Sequence, residues 1–555
     1  MGTPPNAPRP LIGIVGAGTM GGGIAEVAAV AGFPVKVQDV SPDILDRSRR
    51  RLEQGLSQRV ARGRLEATGA AAAIARLTWV NALEDLRDAA VVIEAAPEHL
   101  DLKREIFHRL DAVCDPAAIL ASNTSSLSIS AMGAATQHPD RVVGMHFFNP
   151  VPVMALVEVI PGAHTSDATV AATVALAREL GKTPVRVTEA PGFLVNRIAR
   201  PYSGEALRVL TDRVAPAEVI DRIMREAGGF RMGPFELLDL VGLDVNLAVS
   251  RAIYDAFFQD PRYRPHPVQQ RMVDAGLLGR KSGRGFYDYL GSPPRPRRDE
   301  PGPPGAQPLG MAPAGPRAPS PIAVLGESRL AADLIAMLST TGLGAMTPPP
   351  RTGRWKVAVA IDASLDPAEA KARALAGIDA NLPPAALLLT LTLTASTTEA
   401  ARLSAHPERI VGFATLPPLA DRGLVEIQPG LRTSREATNR ALSFWVEVGK
   451  HAVEVGDGVG GVFPRTQAML SHEAIVAFEA GVASSQEIDE AMRLGMNYPQ
   501  GPIERAEAAG LETLLAVMEG LFAEHGDPRY RPTPLLRRLV AAGRERVGSG
   551  GGSDA

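Results

Sequence analysis

The sequence predicts a parallel α/β domain followed by an all-α domain, with a degenerate second copy of both beyond a Pro-rich linker. Three observations predict it. From Leu11, apolar runs of strand length alternate with helical stretches, and the first run closes on a glycine turn. Residues 291–320 hold ten prolines and five glycines, so they read as an extended linker that forms neither helix nor strand. Beyond the linker a constant offset of 268 pairs His138 with His406, Lys103 with Lys371, Arg197 with Arg465 and Gly233-Pro234 with Gly501-Pro502. An offset held over this length marks an internal duplication, not a short-repeat array.

In chain order, "MGTPPNAPRP" lacks the apolar core of a secretory signal, and asparagine at position 6 breaks the myristoylation pattern. "LIGIVGAGTMGGGIAEVAAVAGFPVKVQDV" then reads as buried strand, glycine turn, helix and a second strand ending at Asp39. Gly16 allows the tight turn, Gly18 lets the backbone approach a pyrophosphate, and Gly21 permits close packing of helix on strand. This is the pattern of an α/β Rossmann dinucleotide-binding domain. Asp39 lies where a carboxylate accepts from a ribose 2′-hydroxyl and repels a 2′-phosphate, which favours NAD over NADP. The bland alternative is a glycine-rich turn with a surface aspartate.

Further on, Ser, Asn and Thr crowd "ASNTSSLSI" just past an apolar strand, at the strand end where such sheets bind ligands. In "GMHFFNPVPVMALVEV" His146 precedes Glu158 by twelve residues across an "NPVP" turn, a spacing that suits two adjacent strands. An imidazole oriented by a carboxylate beside a nicotinamide is the arrangement that oxidises a secondary alcohol. A lone histidine among phenylalanines is otherwise a hydrogen-bonded core residue.

The second copy opens at Gly326 with only the first glycine kept, and Glu327 puts an anion in the turn. There the offset is 310, so the copy lacks 42 residues that match the charged helical stretch after Asp39. Leu393 stands for Ser125, Ala414 for His146, Pro417 for Asn149 and Pro464 for Asn196. Glu426 persists without its histidine and reads as an exposed or structural carboxylate. This half is expected to bind no dinucleotide.

Composition narrows the partners. A net charge of −3 leaves no footprint for nucleic acid, and no run of about 18 uncharged apolar residues suggests a membrane span. The single cysteine, Cys114, excludes an intrachain disulfide framework and reads as a buried thiol. No metal site is expected, and a soluble cytoplasmic protein is.

"GAGTMGGGIA", "ASNTSSLSI", "HFFNPVPVMALVEV", "TEAPGFLVNRI", "MGPFELLDLVGLD" and "GRKSGRGFYDY" together resemble the NAD-dependent L-3-hydroxyacyl-CoA dehydrogenases, including 3-hydroxybutyryl-CoA dehydrogenases. The resemblance covers roughly residues 10–290. The duplicated layout resembles longer bacterial members, some of which serve phenylacetate breakdown, and fatty-acid catabolism is the other pathway implied. The resemblance implies that His146 is the general base and Glu158 its partner. It implies that Ser125 and Asn196 hydrogen-bond the substrate's C3 oxygen and thioester carbonyl. Glu98, Lys103, Ser125, Asn149 and Lys281 sit where the family contacts NAD, although here Pro97 precedes Glu98. Arg62 and Arg64 lie where it holds coenzyme A, and a solvated helix face is the equal reading of those two. Family members pair through their helical domains, so a homodimer, or a pseudo-dimer of helical domains within one chain, is expected.

The implied domains are a NAD-binding Rossmann domain (10–190), a helical domain (191–290), the linker (291–320), a degenerate Rossmann-like domain (321–458), a second helical domain (459–547) and a disordered tail (548–555). A hydroxyacid or phosphogluconate-type dehydrogenase would need a lysine base in a glycine-rich helix, which "APGFLVNRI" lacks. A non-catalytic, crystallin-like role would follow from loss of the active-site groups, and the first half retains all four.

Overall fold

A computed structural model describes residues 9–291, 293–296, 321–340, 345–346 and 355–548. Two compact units emerge. One comprises Met1–Arg197 with Ala480–Met496, and the other Ile198–Glu479 with Asn497–Ala555.

The first unit is built on one eight-stranded sheet: β1 (Ile12–Val15), β2 (Val35–Gln38), β3 (Leu77–Val80), β4 (Val91–Glu94), β5 (Ile119–Ser122), β6 (Val142–Phe147), β7 (Leu156–Pro161) and β8 (Thr183–Arg186). Their order is β3-β2-β1-β4-β5-β6-β7-β8. Every neighbour is parallel except β6 and β7, which the short "NPVP" turn folds into an antiparallel pair. β1 is buried along its whole length, as befits a parallel strand covered on both faces. The order reverses between β1 and β4, which creates a crevice at the carboxyl ends of the strands. The helix Thr19–Val30 leads out of that crevice, and its cap, Gly18, offers no side chain to its first N–H groups. Helices Pro42–Ala61 and Ala67–Ala75 follow, the first capped by Ser41 accepting from the Ile44 N–H.

In the second unit the short strands β9 (Tyr287–Asp288) and β10 (Arg295–Pro296) pair antiparallel. Positions 295–296 therefore depart from the expectation that 291–320 forms no strand: the backbone there completes a two-residue ladder on β9. Residue 292 and residues 297–320 lie outside the described residues, as does the tail from 549. A seven-stranded sheet follows, of β11 (Ile322–Leu325), β12 (Ala345–Met346), β13 (Val359–Asp362), β14 (Leu387–Leu391), β15 (Ile410–Ala414), β16 (Leu424–Pro429) and β17 (His451–Glu454). Its order, β12-β11-β13-β14-β15-β16-β17, repeats the first sheet, among the described residues without a counterpart of β3. The antiparallel pair recurs at β15 and β16.

Helical segments from both halves pack together inside this second unit, helix Arg200–Thr211 lying on helix Phe463–Glu479. Arg465 donates to Glu205 at 2.6 Å, with both side chains almost fully buried, and Tyr530 donates to the same carboxylate. Tyr263 reciprocally donates to Glu473, the counterpart of Glu205 at the 268 offset. Reciprocal contacts of this kind are the mark of an isologous interface. The tyrosines belong to a repeated "DPRYR", at 260–264 and 527–531, that the sequence reading passed over.

Of the two readings of Glu426, exposed or structural, the fold shows the second. Glu426 is not exposed; it is 1% accessible and accepts from the backbone N–H groups of Val462 and Phe463. With no imidazole beside it, burial pushes its carboxyl up to about 8 against those two donors. Cys114 is a free buried thiol. Among the described residues no helix is long and apolar enough to cross a membrane, and no group of three or more His, Cys, Asp or Glu could hold a metal ion.

Candidate active site

The antiparallel pairing sets His146 directly opposite Glu158. Nδ1 of His146 lies 2.6 Å from Glu158 Oε2, and the two side chains are 7% and 0% exposed. The second carboxylate oxygen accepts from the N–H groups of Leu194 and Val195 at 3.1 and 2.9 Å. An ionised carboxylate can only accept, so beside one a neutral imidazole carries its proton on Nδ1 and its lone pair on Nε2. The His146 ring lies 4.5 Å from that of Phe148 and 5.8 Å from that of Phe193, centroid to centroid.

Phe193 was not singled out from the sequence, and it is unusual. Its φ of +49° is left-handed backbone that bulky residues avoid, while its counterpart at the 268 offset is Gly461, at φ +56°. Both copies use this turn to aim two N–H groups at their glutamate. Only the copy with a histidine carries a ring there, so Phe193 tolerates the strain for the sake of a wall against His146. Asn123 was missed as well. Its Oδ1 accepts from the Phe147 N–H at 2.8 Å, which ties the β5 loop to the residue after His146. The second copy has Leu391 in its place.

The glycine turn has the shape expected of it. Gly16 adopts φ +94°, and a Cβ there would lie 2.7 Å from the Ala95 carbonyl oxygen. A Cβ on Gly21 would strike the Gly16 carbonyl oxygen, whereas Gly18 faces open space. Asp39, at the end of β2, accepts from the Ala17 N–H at 2.9 Å and from the Ser41 N–H at 3.0 Å. An uncapped helix N-terminus over an open glycine, beside an acid at the neighbouring strand end, fits a dinucleotide pyrophosphate and ribose.

Glu98 caps the "SNTSS" loop. Its Oε1 accepts from the Thr124 hydroxyl at 2.7 Å, the Ser125 N–H at 2.9 Å and the Ser125 hydroxyl at 3.2 Å. Burial pushes this carboxyl up, but the Thr124 bond, the Lys103 ammonium and the loop N–H groups outweigh it and hold it below the usual range.

Lys103 is the residue whose surroundings differ most from its implied role. It is 1% exposed, and its Nζ donates to Glu94 at 2.6 Å and to the Ala96 carbonyl at 3.2 Å, with Glu98 at 3.4 Å. Ser122 donates to the other Glu94 oxygen. The second copy repeats this as Lys371, Asp362 and Thr390, and there it accompanies a degraded glycine turn. The same contact is thus made in the copy expected to bind no dinucleotide. The signal that could have revealed it was an acid, Glu94, ending an otherwise apolar strand.

Asn149 is exposed just after β6, and Asn196 sits in the short helix Val195–Ile198, next to the residue that holds Glu158. Arg62 and Arg64 are exposed beyond helix Pro42–Ala61. Lys281 belongs to the second unit and donates to Asp244 at 2.6 Å.

The second copy's equivalent loop is closed over. A Cβ on Gly520 would lie 2.8 Å from Thr394 Cα, so helix Leu511–His525 rests on the very backbone that corresponds to Ser125 and Ser126. Arg329, at the start of the helix after the Gly326 turn, is paired with Glu512 and Glu545.

Comparison with known proteins agrees with this geometry. The family model "3-hydroxyacyl-CoA dehydrogenase, NAD binding domain" matches residues 11–190 and again 346–458. The model "3-hydroxyacyl-CoA dehydrogenase, C-terminal domain" matches 192–289 and 460–553. The 3-hydroxyadipyl-CoA dehydrogenase of Escherichia coli K12 is 38% identical over 96% of this chain and 98% of its own. A probable 3-hydroxybutyryl-CoA dehydrogenase of Bacillus subtilis is 45% identical over 50% of this chain and 96% of its own. The crystal structure of 3-hydroxybutyryl-CoA dehydrogenase from E. coli K12 superposes with a TM-score of 0.77 at 35% identity, covering 96% of this chain and 99% of that one.

Proposed function

The chain belongs to the 3-hydroxyacyl-CoA dehydrogenase family, and from that membership we propose that it catalyses the reversible NAD-dependent oxidation of an (S)-3-hydroxyacyl-CoA to the 3-ketoacyl-CoA. The observation that carries this reading is the buried His146–Glu158 pair, present in the half with the intact glycine turn and dismantled in the other. Nε2 of His146 takes the proton of the substrate's C3 hydroxyl. Glu158 keeps Nδ1 protonated and stabilises the imidazolium, and its own charge is steadied by the Leu194 and Val195 N–H groups. Bound NAD supplies the acceptor for the hydride that leaves C3. Ser125 and Asn196 orient the C3 oxygen and the thioester carbonyl. Gly16, Gly18, Gly21 and Asp39 hold the dinucleotide, with Glu98 and Asn149 contributing, and Lys103 acts by fixing Glu94 and Glu98. Arg62 and Arg64 are offered to the coenzyme A phosphates.

The second half is an inactive copy that supplies packing partners in cis, so the chain is its own pseudo-dimer of helical domains. Likeness along the whole chain to a 3-hydroxyadipyl-CoA dehydrogenase favours a substrate with an ω-carboxylate. NADH oxidation with acetoacetyl-CoA, run beside 3-ketoadipyl-CoA and a His146→Gln control, tests the reading. Turnover of the ω-carboxyl thioester with the higher kcat/KM is expected, together with near-complete loss in the control. Failure on both thioesters, or a control equal to wild type, overturns the reading.

A further inference from the structure

The first compact unit contains a segment of the second half, Ala480–Met496, whose helix Ser485–Met496 packs against β7 and β8. The segment is anchored where it arrives: the Thr188 N–H donates to the Val482 carbonyl at 2.8 Å, and the Thr188 hydroxyl to that of Gly481 at 3.0 Å. Ser484 then starts the helix in a capping box with Glu487. Its counterpart in the first half, helix Ala217–Glu226, packs on β16 of the second sheet, where the Gly423 N–H donates to the Glu226 carbonyl. Each half thus lends this helix to the other half's sheet, and the sheet that receives Ser485–Met496 is the one carrying His146 and Glu158.

Gly495 lies close against this contact. A Cβ there would lie 2.9 Å from Leu156 Cδ2 and 3.2 to 3.3 Å from the two Cγ atoms of Val195. Leu156 opens β7, two residues before Glu158, and the Val195 N–H is one of the two donors that hold Glu158. Glycine weakens a helix relative to alanine, and at this buried position a Cβ would have to push aside the side-chain ends of Leu156 and Val195. The 268 offset sets Ala227 at the equivalent position, where the neighbouring sheet carries a glutamate with no histidine.

We propose that helix Ser485–Met496 is a positioning element for Glu158 and that Gly495 is the residue through which it acts. This rests on the His146–Glu158 dyad proposed above. It gives the second half a part in the chemistry it no longer performs: its helix seats β7 and the Val195 N–H, and they set the carboxylate against the imidazole.

Variants of the full chain test it, with kcat and KM for NADH and acetoacetyl-CoA as readouts. Gly495→Val should lower kcat about ten- to a hundredfold, the penalty of a misplacement near 1 Å, while KM for NADH stays within about twofold. Leu156→Val in the same chain makes room and should restore part of the loss. Gly495→Ala should show a smaller loss of the same kind, and it decides the matter if the valine variant fails to fold. Ala227→Val adds bulk to the equivalent helix on the other sheet and should keep wild-type kcat. Wild-type kcat in both Gly495 variants, or an equal loss in Ala227→Val, overturns the proposal. Wild-type activity in His146→Gln would instead overturn the dyad.

Discussion

Replacing Arg465 by methionine should weaken the second unit by about 3 kcal/mol near neutral pH, and the loss should depend on pH in a defined sense. Arg465 donates to Glu205 at 2.6 Å and to the Tyr530 hydroxyl at 2.8 Å, and it reaches Asp212 at 2.8 Å. Burial alone would raise the Glu205 carboxyl; Arg465 first, then Arg208 and Arg529, bring it from 4.5 down to about 2. At about 1.4 kcal/mol per tenfold, that depression is worth about 3 kcal/mol, close to the usual cost of orphaning one member of a buried ion pair. The folded carboxyl ionises at lower pH than the unfolded one. This stability is therefore complete above pH 4.5 and drains away as pH falls towards 2. Urea unfolding followed by tryptophan fluorescence reads it out, since Trp355 and Trp445 both lie in this unit. The gap between wild type and variant should be widest near neutrality and shrink below pH 4.5. Glu205→Gln combined with Arg465→Met should recover much of the loss, because Glu205 is then no longer a buried charge without Arg465. A loss under about 1 kcal/mol near neutrality, or a gap that ignores pH, would refute the reasoning.

Lys103→Met and Lys371→Met should each cost about 3–5 kcal/mol in the unfolding of their own unit, since each strands a buried acid; a large loss of NAD affinity with intact stability for Lys103→Met would contradict its placement in the fold. Asn123→Leu, which installs the second copy's residue, should lower kcat about tenfold by freeing the Phe147 N–H beside His146, with KM for NADH unchanged in steady-state assays. Phe193→Leu should cut kcat by a similar factor, about tenfold, through loss of the ring flanking the imidazole. Asp39→Ala should raise KM for NADH by about tenfold or more and narrow the preference over NADPH; an unaltered cofactor ratio would speak against its contact with the ribose.

The sequence by itself determined the two-copy architecture, the glycine turn with Asp39, and the pairing of His146 with Glu158. Each is written in local pattern: apolar runs of strand length, glycines at fixed spacing, two strands joined by a short turn. The second copy served as a control, because the residues implied to meet ligand are replaced there while its apolar pattern persists. Tertiary structure decided the rest. Nothing in the spacing of Glu94, Lys103 and Ser122 says that they meet. Glu426 reads from sequence as exposed or structural, because its missing histidine was legible and its burial was not. The Arg465–Glu205 pair spans 260 positions, and helix Ser485–Met496 lies on a sheet built from the other half of the chain. Such contacts depend on which faces meet when whole elements pack. Periodicity can say that a helix has a buried face, but only the folded chain says what that face is buried against.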